Sequence, residues 1–197
     1  MVFEAKNFDN LIGIKGFSEI MLKNHFALYR GYVANINKLD EALRDLLKEG
    51  KTATPEFAEL KRRLGWEFNG MRLHELYFGS LIKELRIPST DSALTKQITK
   101  DFGIYGNWEK DFRAVGAMRG IGWVVLYYDV SAKRLFNCWI NEHDAGHLAG
   151  AAPLLVMDVF EHAYITDYEL RRADYIEAFF KAIDWKTVEK RFEYTSK

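Results

Sequence analysis

The sequence predicts an α+β fold: an N-terminal hairpin of two long helices, then a small three-stranded antiparallel sheet packed with helices. Three observations predict it. Apolar residues recur at helical spacing from Ile20 to Leu47, and a second helical segment opens at Thr54-Pro55-Glu56. Two runs rich in β-branched and aromatic residues, Ile121–Asp129 and Arg134–Ile140, are joined by the turn Ser131-Ala132-Lys133. A short apolar run, Leu154–Met157, follows Pro153 and ends on Asp158, which reads as a third, buried strand.

Taken in order, residues 1–17 read as an extended lead-in segment. Ser18 is placed to cap the first long helix, and Gly50 to stop it as a left-handed C-terminal residue. Pro55 sits in the first turn of the second helix, which is expected to run to about Leu81. No heptad is sustained, so the pair reads as a layer of a globular protein rather than a coiled coil. Ile87-Pro88-Ser89-Thr90 is a break, and the expected boundary falls there: residues 1–88 form a helical domain and residues 89–197 a mixed one. Two short helices are expected near Ser92–Asp101 and Asn107–Ala117. The loop Asn141–Ala152 leads to the third strand, and Val159–Tyr168 reads as the start of closing helices.

Composition narrows the function classes. Lysine plus arginine equals aspartate plus glutamate at 28 each, a balance that argues against a nucleic-acid footprint. No apolar stretch is long enough for a membrane span, and no secretory signal is visible. The single cysteine, Cys138, can form no internal disulfide and reads as a small apolar residue on a strand. The expected location is cytoplasmic.

The chemistry is concentrated in PLLVMDVFEHAYITDY, residues 153–168. Asp158 ends a buried strand, and His162 follows four residues later, a spacing that shares one face of a helix. An unpaired buried carboxylate is costly, so Asp158 must be paired or bound to a cation. These residues alone leave two readings open, a structural Asp–His hydrogen bond and a metal site.

MDVFEHAY followed by RRADYI and the late DW resembles the C-terminal signature of the iron/manganese superoxide dismutases. The resemblance runs through most of the chain, with several separated motifs agreeing in order and spacing. It implies a metal bound by His25, His74, Asp158 and His162. Nitrogen and oxygen donors suit iron and manganese, with no thiolate present to favour copper(I). It further implies one iron or manganese ion per subunit that redox-cycles while superoxide becomes dioxygen and hydrogen peroxide.

In FNGMRLHELYFGSL, the family position one turn before the histidine is glutamine or glycine. Gly70 occupies it here, and His143, in INEHDAGHLAG, is expected to fill the space that Gly70 leaves. His143 in place of the commoner glutamine favours iron. By the same resemblance, Tyr32 guards the substrate channel and joins a hydrogen-bond path to His143, Trp123 and Phe160 wall the pocket, and Trp185 matches a late tryptophan. Arg171 would attract the anion at the channel mouth. Glu161 would bridge a two-fold interface, implying a homodimer, with pairing into tetramers left open. His147 matches nothing and reads as a surface-loop residue.

The chain departs from the family at its first ligand. Most relatives space the ligand histidine, a second histidine and the channel tyrosine at i, i+4 and i+8, whereas His25 and Tyr32 are seven apart. Aligned backward from Tyr32, the ligand position falls on Asn24 and the second histidine on Leu28. Aligned forward from His25, the second histidine falls on Tyr29. The tyrosine that usually pairs with that histidine across the dimer is Ile165 here. His25 is expected to bind the metal, on a helix without the π-bulge that would absorb an extra residue. Two other functions compete: a non-enzymatic metal-binding or structural protein on the same fold, and an iron oxygenase with two histidines and one carboxylate. The retention of four ligand candidates argues against both.

Overall fold

The computed structural model describes residues 2–197. The lead-in segment carries a short 3-10 turn, Asp9–Leu11, and buries Leu11, Ile14 and Phe17 rather than running extended over the surface. Helix α1 spans Glu19–Lys48. The Ser18 side chain accepts a hydrogen bond from the Met21 amide, satisfying one of the orphan donors of the first turn. Gly50, at φ +70°, closes the other end, where the amides of Gly50 and Lys51 turn back to the carbonyls of Leu47 and Leu46. The helix is regular throughout, with no π-bulge between His25 and Tyr32.

Helix α2 spans Pro55–Phe78, capped by the Thr54 hydroxyl. It stops three residues earlier than expected. Leu81 instead pairs as an isolated antiparallel bridge with Ile183, which ties the end of the hairpin to the C-terminal helices. Helices α1 and α2 pack along one another. Helices α3 (Ala93–Phe102) and α4 (Tyr105–Gly116) follow the break at residues 82–90.

The sheet has the order β2-β1-β3, built from β1 (Gly122–Asp129), β2 (Arg134–Asn141) and β3 (Ala151–Asp158), with both pairings antiparallel. Strand β1 is central and almost wholly buried, so it reads as a continuous apolar run. Strand β3 begins three residues before Leu154 and contains Pro153. A proline is tolerated there because β3 is an edge strand and Pro153 pairs with Tyr127 at a register shift.

Residues after β3 do not form the expected helix from Val159. Phe160 is extended, Glu161–Ala163 make a 3-10 turn, and α5 is a single turn, Ile165–Tyr168. The reason is local: the Asp158 carboxylate accepts the Phe160 amide at 2.8 Å, a side-chain turn that competes with helix initiation. Helices α6 (Arg172–Ala182) and α7 (Trp185–Thr195) close the chain. One connected core runs from Leu11 to Phe192 through both halves. Trp185 belongs to it, packed on Trp108 and Tyr105.

Candidate metal centre

Four ligand atoms converge where α1, α2 and the end of β3 meet. His25 from α1, His74 from α2, and Asp158 and His162 from the β3 end each offer one donor atom, and all four atoms lie within 4.8 Å of one another. Asp158 is fully buried. Its Oδ1 accepts the Phe160 amide, which leaves Oδ2 facing three imidazoles. The distances are 3.1 Å to His25 Nε2, 3.2 Å to His162 Nε2 and 3.7 Å to His74 Nε2. The extended Phe160 and the 3-10 turn deliver His162, not a shared helix face. Behind the strand end, the Tyr175 hydroxyl donates to the Asp158 carbonyl at 2.6 Å and lies 3.1 Å from the Tyr77 hydroxyl, so the main chain of Asp158 is held as well.

The proton positions follow from these bonds. His74 Nδ1 faces the Gly70 carbonyl, which can only accept, so Nδ1 carries the hydrogen and Nε2 presents a lone pair. That Nε2 is buried without a hydrogen-bond partner. Burial, together with the neighbouring His25, pushes the His74 imidazole well below its ordinary value, so it is neutral. His25 is also pushed down by burial, against the pull of Asp158. Burial alone would raise the Asp158 carboxyl; the charge and hydrogen bonds of His162 and His25 overcome it and hold the group far below the usual carboxylate range. A buried anion ringed by imidazole nitrogens, one an orphaned lone pair, fits a cation with a preference for nitrogen and oxygen donors.

A second layer encloses the first. The Tyr32 ring stacks on His74 at 5.2 Å between centroids, and Trp123 meets the same imidazole edge-on at 4.9 Å. His143 is buried. Its Nδ1 accepts the Trp123 indole N–H at 3.0 Å, and its Nε2 lies 2.7 Å from the Tyr32 hydroxyl. An indole nitrogen can only donate, so His143 Nδ1 is unprotonated. Burial lowers the His143 imidazole to about 4, so near neutrality the ring carries its one hydrogen on Nε2 and donates it to Tyr32. The Tyr32 hydroxyl is pushed up to about 12, chiefly by burial and then by the charge of Asp158. It therefore keeps its own hydrogen, free to be donated elsewhere. Phe160 stacks between His143 and His162 at 4.8 and 5.3 Å.

Three expectations change. The space beside Gly70 is filled by Tyr32, not His143: a Cβ on Gly70 would stand 2.5–2.9 Å from three Tyr32 ring carbons. Arg171 is not brought to the cluster. Its side chain is 65% exposed and pairs with Asp174 at 3.3 Å, while the next residue, Arg172, is tied to the Tyr164 hydroxyl and to the carbonyls of Met118 and Gly120. His147 is not a free surface residue but half-buried, and bonded to Tyr127 and to the His143 carbonyl.

Sequence reasoning also missed Trp66, Arg63 and Glu67. Trp66 packs edge-on against His143 at 4.7 Å, and the Arg63 guanidinium lies 4.7 Å over the Trp66 ring. Arg63 Nε donates to the buried Glu67 at 2.8 Å. Arg63, Glu67 and Tyr32 line a cavity of about 630 Å³ that also touches Asn24 and Leu28. The available signal was the chain of i, i+3 and i, i+4 spacings that runs from Arg63 through Trp66 and Glu67 to Gly70 and His74 on α2. His25 is buried, whereas Asn24 is exposed; likewise Tyr29 is buried and donates to Glu75, whereas Leu28 is 42% exposed.

Comparison with known proteins agrees with this geometry. Residues 90–191 match the C-terminal domain of the iron/manganese superoxide dismutases. The chain is 36% identical over 189 residues to an iron superoxide dismutase of Aquifex pyrophilus, covering 93% of this chain and 88% of that one. The chain belongs to the iron/manganese superoxide dismutases. A further member of this superoxide dismutase family, the iron enzyme of Methanothermobacter thermautotrophicus, is 38% identical over 173 residues, 87% of this chain and 82% of its own. Manganese superoxide dismutase 2 of Haloferax volcanii is 32% identical over 175 residues, 89% and 86% of the two chains. Relatives named for each metal thus lie at similar distance from this superoxide dismutase chain.

The lowered His143 imidazole carries a stability signature. Between pH about 4 and 6.5 the unfolded chain takes up a proton at His143 that the folded chain refuses, so this group's contribution falls as pH drops through that window and is flat above it. In urea titrations of the metal-free protein across this range, His143→Gln should show a shallower loss of stability than the parent, by up to one proton's worth of slope. Equal slopes would mean that His143 titrates normally in the fold.

Proposed function

We propose that this chain dismutes superoxide with one iron or manganese ion per subunit, held by His25, His74, Asp158 and His162. The observation that carries the reading is the convergence of three imidazole nitrogens on one buried carboxylate oxygen, with the His74 lone pair left without a partner. A purely structural Asp–His pair needs one imidazole, not three, and no orphaned acceptor. When bound, the metal supplies alternating one-electron oxidation and reduction. Two superoxide ions and two protons then give one dioxygen and one hydrogen peroxide.

The residues around the cluster serve the proton side of that balance. His143 Nε2–H engages the Tyr32 oxygen, so Tyr32 holds a donatable proton beside His74. Trp123 fixes the His143 tautomer from behind. Trp123 and Phe160 present apolar faces that exclude bulk water, which strengthens every polar contact inside. The cavity beside Tyr32 admits a small anion, with Arg63 the cation at its wall.

Assembly is read as a homodimer through Glu161. The support is its exposure in the single chain one residue before a cluster histidine, together with the exposed apolar residues Leu28 on α1 and Ile165 on α5, two helices in contact. We read residues 1–88 and 89–197 as two domains, supported by the irregular segment that joins α2 to α3. A cytoplasmic location is supported by the lone cysteine. Among the described residues no helix is long and apolar enough to cross a membrane.

Metal content decides the ligand assignment. Asp158→Ala, His162→Ala and His25→Ala should each lose most bound metal and all dismutase activity, while Asn24→Ala keeps both. An intact site in His25→Ala, with a ruined one in Asn24→Ala, would reverse the assignment. Reconstituting the apoprotein separately with iron and manganese should give the higher rate with iron, since an imidazole at His143 replaces an amide beside the metal; activity with manganese alone refutes this. Glu161→Ala should weaken the dimer and the metal affinity together, by about tenfold or more if a charge-assisted hydrogen bond is lost. Ultracentrifugation showing an unchanged dimer with unchanged metal affinity would remove Glu161 from the interface.

A further inference from the structure

His147 has no role in the reading above, yet its ring is fixed at both nitrogens. Nε2 lies 2.8 Å from the main-chain carbonyl of His143, and Nδ1 lies 2.7 Å from the Tyr127 hydroxyl. A carbonyl only accepts, so Nε2 carries a hydrogen, and in the neutral ring Nδ1 accepts the Tyr127 O–H. Tyr127 is only 3% exposed and sits in the middle of the central strand β1. His147 is thus a two-bond strut from that strand to the main chain of the residue that holds Tyr32.

The strut matters because the main chain of the segment bearing His143 has few other bonds. It leaves β2 through Glu142, a non-glycine residue at φ +52°, and closes a tight turn by the paired amides and carbonyls of Asn141 and Ala145. Asp144, Ala145 and Gly146 are exposed. No helix or strand pairing reaches His143 itself. Its side chain is held by Trp123, which lies on the same strand as Tyr127, four residues away. Side chains four apart on a strand share a face, and the pairing of β1 with β2 is regular between these two positions. Strand β1 therefore grips His143 twice, at its imidazole through the Trp123 indole and at its carbonyl through Tyr127 and His147.

We propose that His147 is a positioning residue that clamps the His143 main chain to β1, and through His143 sets the orientation of the Tyr32 hydroxyl. The consequence for Tyr32 rests on the dismutase reading above; the clamp itself does not.

The Trp123 indole N–H reports on the clamp directly, in metal-free protein, because it donates to His143 Nδ1. The Trp108 indole, which donates to Asn137 at 3.0 Å, is the internal control. Nitrogen-15 NMR should show the Trp123 indole hydrogen of His147→Ala exchanging with solvent about fivefold faster, the factor that one hydrogen bond's net contribution supports. The Trp108 signal should not change. His147→Gln, whose amide can both donate to the carbonyl and accept from Tyr127, should restore slow exchange, and Tyr127→Phe should fall between the two. An unchanged Trp123 rate in His147→Ala overturns the proposal, as does equal acceleration of both indoles, or failure of His147→Gln to rescue. In the metal-loaded protein, His147→Ala should keep full metal content while the dismutase rate drops several-fold. A clamp that opens by NMR with no change in rate at full metal content would instead overturn the role given to His143 and Tyr32.

Discussion

A carboxylate buried at the end of an interior strand is the constraint on which the structure depends. Asp158 is fully buried, and an isolated ionised carboxylate in such a place costs several kcal/mol even after relaxation. Every neighbouring element contributes to meeting that cost. The Phe160 amide takes one oxygen, and three imidazoles from three separate parts of the chain face the other. Two long helices must pack against the strand end to deliver two of them, so the hairpin is positioned by the chemistry as much as by its apolar face. The Tyr175 hydroxyl, itself in contact with the Tyr77 hydroxyl, holds the carbonyl behind it.

The surrounding layer is organised by the direction of its hydrogen bonds. Trp123 can only donate, His143 is neutral, and the Tyr32 hydroxyl stays protonated until strongly alkaline pH. Each bond therefore has one allowed polarity, and the hydrogen left over sits on Tyr32, stacked on a metal-facing imidazole. The close approach that makes this stacking possible requires a glycine at position 70, because any side chain there would enter the Tyr32 ring. A mid-helix glycine costs α2 about 1 kcal/mol relative to alanine, a cost accepted for placing Tyr32.

Most of the fold was legible because its signals are local. Caps at Ser18 and Thr54, the stop at Gly50 and the β-branched hairpin are each decided by a few adjacent residues. The four converging residues were legible too, from a costly Asp158 and motifs in a family order. Register and approach were not. The run after Asp158 reads as a helix by composition, yet one side-chain–amide bond turns it into an extended residue and a 3-10 turn. Gly70 signals that something packs closely, but not that the neighbour is Tyr32 rather than His143. His147 looks free in a polar loop because its two partners, Tyr127 and the His143 carbonyl, are a strand residue and a main-chain atom that no spacing rule connects. Arg171 stands beside Arg172 in sequence, and only packing decides which of the pair turns inward.

Helix α1 carries His25 and Tyr32 on one uninterrupted rod. Seven residues of regular α-helix return to within about 20° of the starting face, whereas eight would overshoot by about 80°. The shorter spacing and the absence of a bulge are therefore a single adaptation, not two. On a helix that stays regular, one residue more or fewer swings Tyr32 off His74 or pulls His25 away from Asp158, so an insertion needs a bulge to absorb it. The number of residues between His25 and Tyr32 can therefore change only together with the geometry of the helix, and the two ends of the cluster are inherited as one part.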